Sequence, residues 1–209
     1  MIKIRCSSLH QLMSKPQSGS GLSETAKSMI KKTVIQQHYG RVKEVETPEI
    51  RKGKLLEDEA IKAIGLIKAR SLKKHTGRVF NDWITGECDF INDSCIEDVK
   101  CSWSIDTFPF FQEDAAKQCK KSGYDWQGQG YMWLYNRPAH YVHYVLLPTP
   151  FDLLKPYDNH EMHIDLVESI PLRKRIKTVV IERNESLHQQ VIEKAEMAQE
   201  YAKKLILEL

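Results

Sequence analysis

The sequence predicts an α/β fold in which a central mixed β-sheet is flanked by helices. Three observations carry that reading. Residues 139–147, Ala-His-Tyr-Val-His-Tyr-Val-Leu-Leu, are rich in the β-branched and aromatic residues that suit a pleated, half-buried surface. Residues 84–103 read as two short strands around an Asn92-Asp93-Ser94 turn, a hairpin pattern. Between and beyond them lie long stretches with helical periodicity, the clearest being 51–73, where Leu56, Ala60, Ile61, Ile64 and Ile67 recur on one face.

The elements follow in order. Ile2 to Arg5 alternates apolar and basic residues and forms a short extended piece. Residues 14–23 are rich in Ser, Gly and Pro and form a loop. Ser23, followed by Thr25 and Ala26, caps a helix that runs to about His38. After the 51–73 helix and the hairpin comes a polar amphipathic helix over 110–121, ended by Gly123. The next helix, 124–135, contains Gly128 and Gly130, which weaken its propensity. Glycines there imply close backbone approach, to the sheet or to DNA. The strand 139–147 is followed by a turn at Pro156, Asp158 and Asn159, a strand Thr178 to Glu182, and a final helix 185–207. Nothing marks a boundary, so residues 1–209 are expected to form one domain.

Composition excludes several classes. A chain of 209 residues suffices for one large α/β domain. With 41% hydrophobic and 28% charged residues it is globular rather than disordered. A net charge of +3 does not announce a nucleic-acid binder. Local clusters, Lys117, Lys120 and Lys121, then Arg173, Lys174, Arg175 and Lys177, are read either as solvated faces or as phosphate contacts. Five cysteines, an odd number without a secretory leader, imply reduced thiols and a cytoplasmic location. The absence of any CxxC disfavours a structural zinc site, and no apolar run nears the ~20 residues of a membrane helix.

The chemistry concentrates in the hairpin. On a strand, side chains two apart share a face, so Asp98 and Lys100 project together while Val99 turns to the core. Glu97 then faces the other side. Asp89 can add a second carboxylate, and Glu57, on a helix beside the hairpin, a third. Gln127 and Tyr131, four apart on one helix face, can orient a lysine, a water or a phosphate. Hard oxygen ligands beside a lysine suit Mg²⁺-assisted attack of water on a phosphodiester, with Mn²⁺ as a substitute. A lone Asp98/Lys100 pair would be an ordinary surface salt bridge; Glu57 and Gln127 raise it above that. His160-Glu161-Met162-His163 is one residue short of a zinc-protease H-E-x-x-H and lies in the turn. His140 and His143 face opposite sides of their strand and cannot share a metal. Trp103, Phe108, Phe110, Phe111 and Trp126 read as packing residues, one or two of which could stack on a base.

Taken together these motifs resemble the PD-(D/E)xK nuclease superfamily, and within it the lambda-exonuclease-like (YqaJ-type) viral recombinases. Gly53-Lys54-x-x-Glu57 is similar to the family's helix glutamate, Ile84-Thr85-Gly86-x-x-Asp89 to its first metal aspartate, Ile96-x-Asp98-Val99-Lys100-Cys101-Ser102 to its acidic-x-lysine signature, and Gln127-x-x-x-Tyr131 to its Q-x-x-x-Y helix. Cys88 stands where the family usually has proline, a backbone-shaping position that contacts no metal. The resemblance implies a restriction-endonuclease-like core. It implies Mg²⁺ held by Glu57, Asp89, Asp98 and the Val99 carbonyl, with Lys100 activating water or stabilising the transition state and Gln127 as a further catalytic residue. Arg5, Ser7 and Ser8 resemble the family's pocket for a terminal 5′-phosphate, and Tyr131 is placed with them against DNA. The implied activity is 5′→3′ digestion of double-stranded DNA ends, leaving 3′ overhangs for recombination. Implied partners are a single-strand annealing protein and further copies in a ring, in a bacterial host's cytoplasm. The rival readings are a structure-specific or nicking endonuclease of the same superfamily, and an inactive DNA-binding module.

Overall fold

The computed structural model describes residues 2–40, 46–92 and 94–209. The chain runs β1 (Ile4–Arg5), a 3-10 turn (Cys6–Ser8), α1 (Leu9–Leu12), α2 (Glu24–Tyr39), α3 (Pro48–Ile67), β2 (Val79–Phe80), β3 (Ile84–Gly86), β4 (Phe90–Ile91) and β5 (Ile96–Ser102). It continues through α4 (Gln112–Lys121), α5 (Tyr124–Leu134), β6 (Ala139–Leu146), α6 (Leu166–Ser169), β7 (Ile176–Glu182) and α7 (Glu185–Ile206).

Two mixed sheets result. The smaller has order β1-β3-β2, with β1 parallel to β3, and the larger has order β4-β5-β6-β7. In the larger sheet β5 and β6 are parallel, with Asp98 beside Val142 and Lys100 beside Tyr144, while β4 and β7 are antiparallel to their neighbours. Parallel neighbours need a crossover, and α4 and α5 supply it. The expected hairpin therefore exists as β4 and β5. Its first arm is broken, because β3 leaves to pair with β1 and β2, and Glu87, Cys88 and Asp89 bridge the two sheets. Gly86 sets that break: a Cβ there would lie 2.6 Å from the Tyr131 ring and 2.7 Å from Cys6 Sγ. Asp93, in the expected turn, lies outside the described residues.

Helix ends follow local chemistry. The Ser23 side chain accepts the Ala26 N–H at 3.0 Å, and Gly40 closes α2 at φ +79°. Thr47 caps α3 by accepting the Ile50 N–H at 3.4 Å, with Pro48 in the first turn, so the helix starts earlier than its apolar periodicity suggests. It also ends earlier, at Ile67 instead of residue 73. The Arg70 N–H bonds back to the Gly65 carbonyl at 3.0 Å, and Ala69 takes φ +50°. Only glycine permits that fold-back, since a Cβ at 65 would lie 2.7 Å from the Arg70 oxygen. Residues 161–165, expected as a turn, instead form a π-helical turn that leads into α6.

The larger sheet is covered on both faces. Ala60, Ile61 and Ile64 of α3 pack on Val99, Phe90 and Val145, which alternate to one side. Ala115 and Cys119 of α4 pack on Val142, Tyr144 and Leu146 on the other. A third cluster joins α1, α2, α5 and α7 to the small sheet, with Ala195, Ala198 and Ala202 keeping α7 close. Lys52 is buried at the far end of β6, its ammonium donating to the Trp103 and Leu147 carbonyls and the Thr149 hydroxyl at 2.7–3.0 Å. Burial lowers its pKa to about 8.

Candidate active site

The site lies where β5 leaves the α4/α5 face and the β3–β4 bridge crosses it. Strand alternation places Asp98 and Lys100 on that face and Glu97, Val99 and Cys101 on the face covered by α3. Asp98 is 1% exposed. Its Oδ2 lies 3.3 Å from Lys100 Nζ and accepts from Gln127 Nε2 at 3.2 Å, and its Oδ1 accepts the Asp89 N–H at 3.2 Å. Asp89 reciprocates, its Oδ2 accepting the Val99 N–H at 2.6 Å. Four of the residues singled out from the sequence, Asp89, Asp98, Lys100 and Gln127, thus meet in one hydrogen-bonded group.

The electrostatics are those of two carboxylates sharing a dry site. Burial and the neighbouring Asp98 push the Asp89 carboxyl up to about 7, against the pull of Lys100. Burial also works to raise Asp98. Lys100 and His140 outweigh it and hold Asp98 well below the usual carboxylate range. Lys100 is desolvated, yet the two aspartates keep its ammonium above the ordinary lysine value. It also sits 4.8 Å above the Tyr124 ring at the start of α5.

Glu57 is not hydrogen-bonded into this group, but its charge adds to the push on Asp89. It comes from α3, the helix on the opposite face of the sheet, and its carboxylate pairs with Lys74 at 2.7 Å. Among the described residues no three His, Cys, Asp or Glu side chains converge as a metal cage. The donor chemistry still fits a hard divalent cation: two facing carboxylates, one driven toward neutrality by burial and by the other, a backbone carbonyl at Val99, and a third carboxylate nearby.

No family model matches the chain, and no curated protein matches it. Solved structures do. A phage-related exonuclease from Haemophilus somnus 129PT superposes with a TM-score of 0.94 at 41% identity, over 99% of this chain and 96% of that one. The chain belongs to the lambda-exonuclease-like family of phage-related exonucleases. The alkaline exonuclease of Laribacter hongkongensis shares the fold, with a TM-score of 0.69 at 14% identity over 98% of this chain and 89% of that one. The same protein in complex with dAMP gives 0.66 at 14% identity, with the same coverage.

In this exonuclease-family chain the N-terminal residues line a separate feature. An open cleft of about 740 Å³ lies between the small sheet and α2 and includes Arg5 and Ser8. Lys3, Lys32 and Arg78 add three more cations to its walls, and Thr85 brings it to β3, which leads directly into the Asp89 bridge. Ser7 is exposed but does not line the cleft. Tyr131, expected against DNA, is 5% exposed; its hydroxyl accepts from Gln127 at 2.9 Å and donates to the Glu87 carbonyl at 2.8 Å. It anchors the bridge between the sheets rather than facing a ligand.

The sequence assigned no site role to His140, Tyr124, Lys74 or Arg78. His140 alone had a usable signal. Its position on the strand, three before His143, required the two rings to face opposite ways, and they do: His140 toward Asp98 and His143 toward Glu97. Glu97 is fully buried and bonded to His143 at 2.7 Å, to Lys68 at 2.8 Å and to Arg70. Burial works to raise its carboxyl, but those partners bring it down to about 2. All five cysteines are free thiols, and no helix among the described residues is long and apolar enough to cross a membrane.

Proposed function

We propose that this chain is a Mg²⁺-dependent exonuclease that digests double-stranded DNA from its 5′ ends and leaves 3′ overhangs for recombination. The observation that carries the reading is the buried pair Asp89 and Asp98 beside Lys100, in a chain of the exonuclease family. Asp89, Asp98, Glu57 and the Val99 carbonyl would hold the cation, Mg²⁺ or Mn²⁺. When bound, it would lower the pKa of a water and neutralise charge on the phosphate.

The remaining work falls to the chain itself. Lys100 offers a permanent positive charge where charge develops in the transition state. Gln127 holds the Asp98 carboxylate, and α4 and α5 keep that side of the strand dry. The 5′ polarity is supported by the basic cleft: Arg5, with Ser8 and Arg78, offers a guanidinium fork to a terminal phosphate close to the β3–β4 bridge. A ring of copies and a single-strand annealing partner belong to the same proposal, as does a host cytoplasm, which the free thiols suit.

The test uses end-labelled linear and closed circular duplex DNA with Mg²⁺, and a chelator control. Loss of the linear form alone, with label released from the 5′ end first, is the expected result. Cutting of the closed circle would favour the endonuclease reading, and no metal-dependent cleavage of either form would favour the inactive binding module.

A further inference from the structure

His140 is 0% exposed, and among the described residues neither ring nitrogen has a hydrogen-bond partner. A buried imidazole with no partner costs free energy that the rest of the fold must offset. Its Nε2 points at Asp98 Oδ2 from 3.7 Å, just outside hydrogen-bond range. The other side of the ring rests against α5 at Gly128, where a Cβ would lie 2.3 Å from His140 Nδ1. The glycine that weakens helix α5 is therefore the seat for this ring. Tyr131 closes a third side, edge-on at 5.9 Å between centroids. Gly128 and Tyr131 thus bound the ring, and the nearest polar group set against its Nε2 is the Asp98 carboxylate.

We propose that His140 is a positioning residue for Asp98: its Nε2–H backs Oδ2 beside Gln127 and fixes the carboxylate's orientation when Lys100 is engaged with the charge of the substrate. This rests on the metal-dependent reading of the Asp89 and Asp98 pair. Three donors crowd Oδ2 in the structure: Lys100 at 3.3 Å, Gln127 at 3.2 Å and His140 at 3.7 Å. Lys100 is the one of the three whose charge the proposed reaction calls on, and Gln127 divides its amide between Asp98 and the Tyr131 hydroxyl. His140 sits behind the carboxylate, held between Gly128 and Tyr131, and makes no other polar contact among the described residues. A donor fixed behind one oxygen orients the other toward Asp89 and the cation, as donors behind metal-binding side chains do.

Two variants separate this role from packing. His140→Phe keeps a ring on Gly128 and under Tyr131 but offers no donor. His140→Gln restores an N–H at the distance of Nε2. The readouts are calorimetric titration of Mn²⁺ into the DNA-free protein, kcat and KM on linear duplex, and thermal stability. His140→Phe is expected to weaken Mn²⁺ binding and lower kcat by about 10- to 100-fold with KM little changed, and His140→Gln to recover most of both. Unchanged Mn²⁺ affinity and kcat in His140→Phe would overturn the proposal. So would equal losses in both variants that track lost thermal stability, since that marks a packing role. If the wild type itself binds no Mn²⁺, the metal-dependent reading fails first, and the proposal with it.

Discussion

Glu97 and Asp98 are neighbours in the chain, both are buried, and they face opposite sides of β5, each with its own histidine: His143 at 2.7 Å from Glu97 and His140 at 3.7 Å from Asp98. One carboxylate is bound into the α3 side with Lys68 and Arg70. The other is turned into the site with Lys100. Removing either should produce very different failures.

Glu97 is a stability residue. Glu97→Gln leaves Lys68, Arg70 and His143 without a counter-charge, and breaking a buried pair of this kind costs about 3–5 kcal/mol. Lys68 and Arg70 retain some water, so the lower end, about 3 kcal/mol, is expected in denaturant unfolding. The folded carboxyl titrates near 2 against an ordinary 4.5. Its contribution is therefore complete above pH 4.5 and lost as pH falls toward 2, so the gap between wild type and Glu97→Gln should close over that window.

Asp89 should behave in the opposite sense without metal. Its folded value of about 7 lies above the ordinary 3.8, so the folded state holds an extra proton between those limits. Stability is then lost as pH rises from 3.8 through 7. In chelator, Asp89→Asn should unfold at a higher temperature than wild type above pH 7, with the advantage vanishing below pH 4. The same variant should show no cleavage; near-normal turnover would remove Asp89 from the site.

Lys100→Ala should lose on the order of 10²-fold or more in kcat, the range for removing one charge that stabilises a transition state. Lysine ligates no metal, so Mn²⁺ binding by calorimetry should persist. A collapse of metal affinity would reassign Lys100 to holding Asp98 in place.

The cleft at Arg5 makes a prediction about substrate ends. Wild type should digest 5′-phosphorylated duplex faster than 5′-hydroxyl duplex. Arg5→Ala should shrink that preference by slowing the phosphorylated substrate, since a charge-assisted contact contributes about 1.5–3 kcal/mol. A preference that survives Arg5→Ala unchanged would move the anchor to Arg78 or Lys32 on the same walls.

Much of the fold was legible because its elements are locally encoded. The Ser23 cap, the aromatic and β-branched run of β6, and the periodicity of α7 each declare their structure within a few turns of chain. The C-terminal end of α3 and the broken arm of the hairpin were not legible. They depend on Gly65 meeting Arg70 and Gly86 meeting Tyr131, contacts between residues that the local pattern does not relate.

The site divides along the same line. By itself the sequence determined that Asp98 and Lys100 share a face and that Glu97, His140 and His143 sort to defined sides, because strand alternation is a property of the backbone. Only the tertiary structure decided that Tyr131 is buried, that Glu57 pairs with Lys74, and that His140 lies beside Asp98. Those outcomes turn on which helix covers which face and how closely it can approach. The approach of α5 is set by Gly128 against His140, a contact that exists only once β6 and α5 have packed.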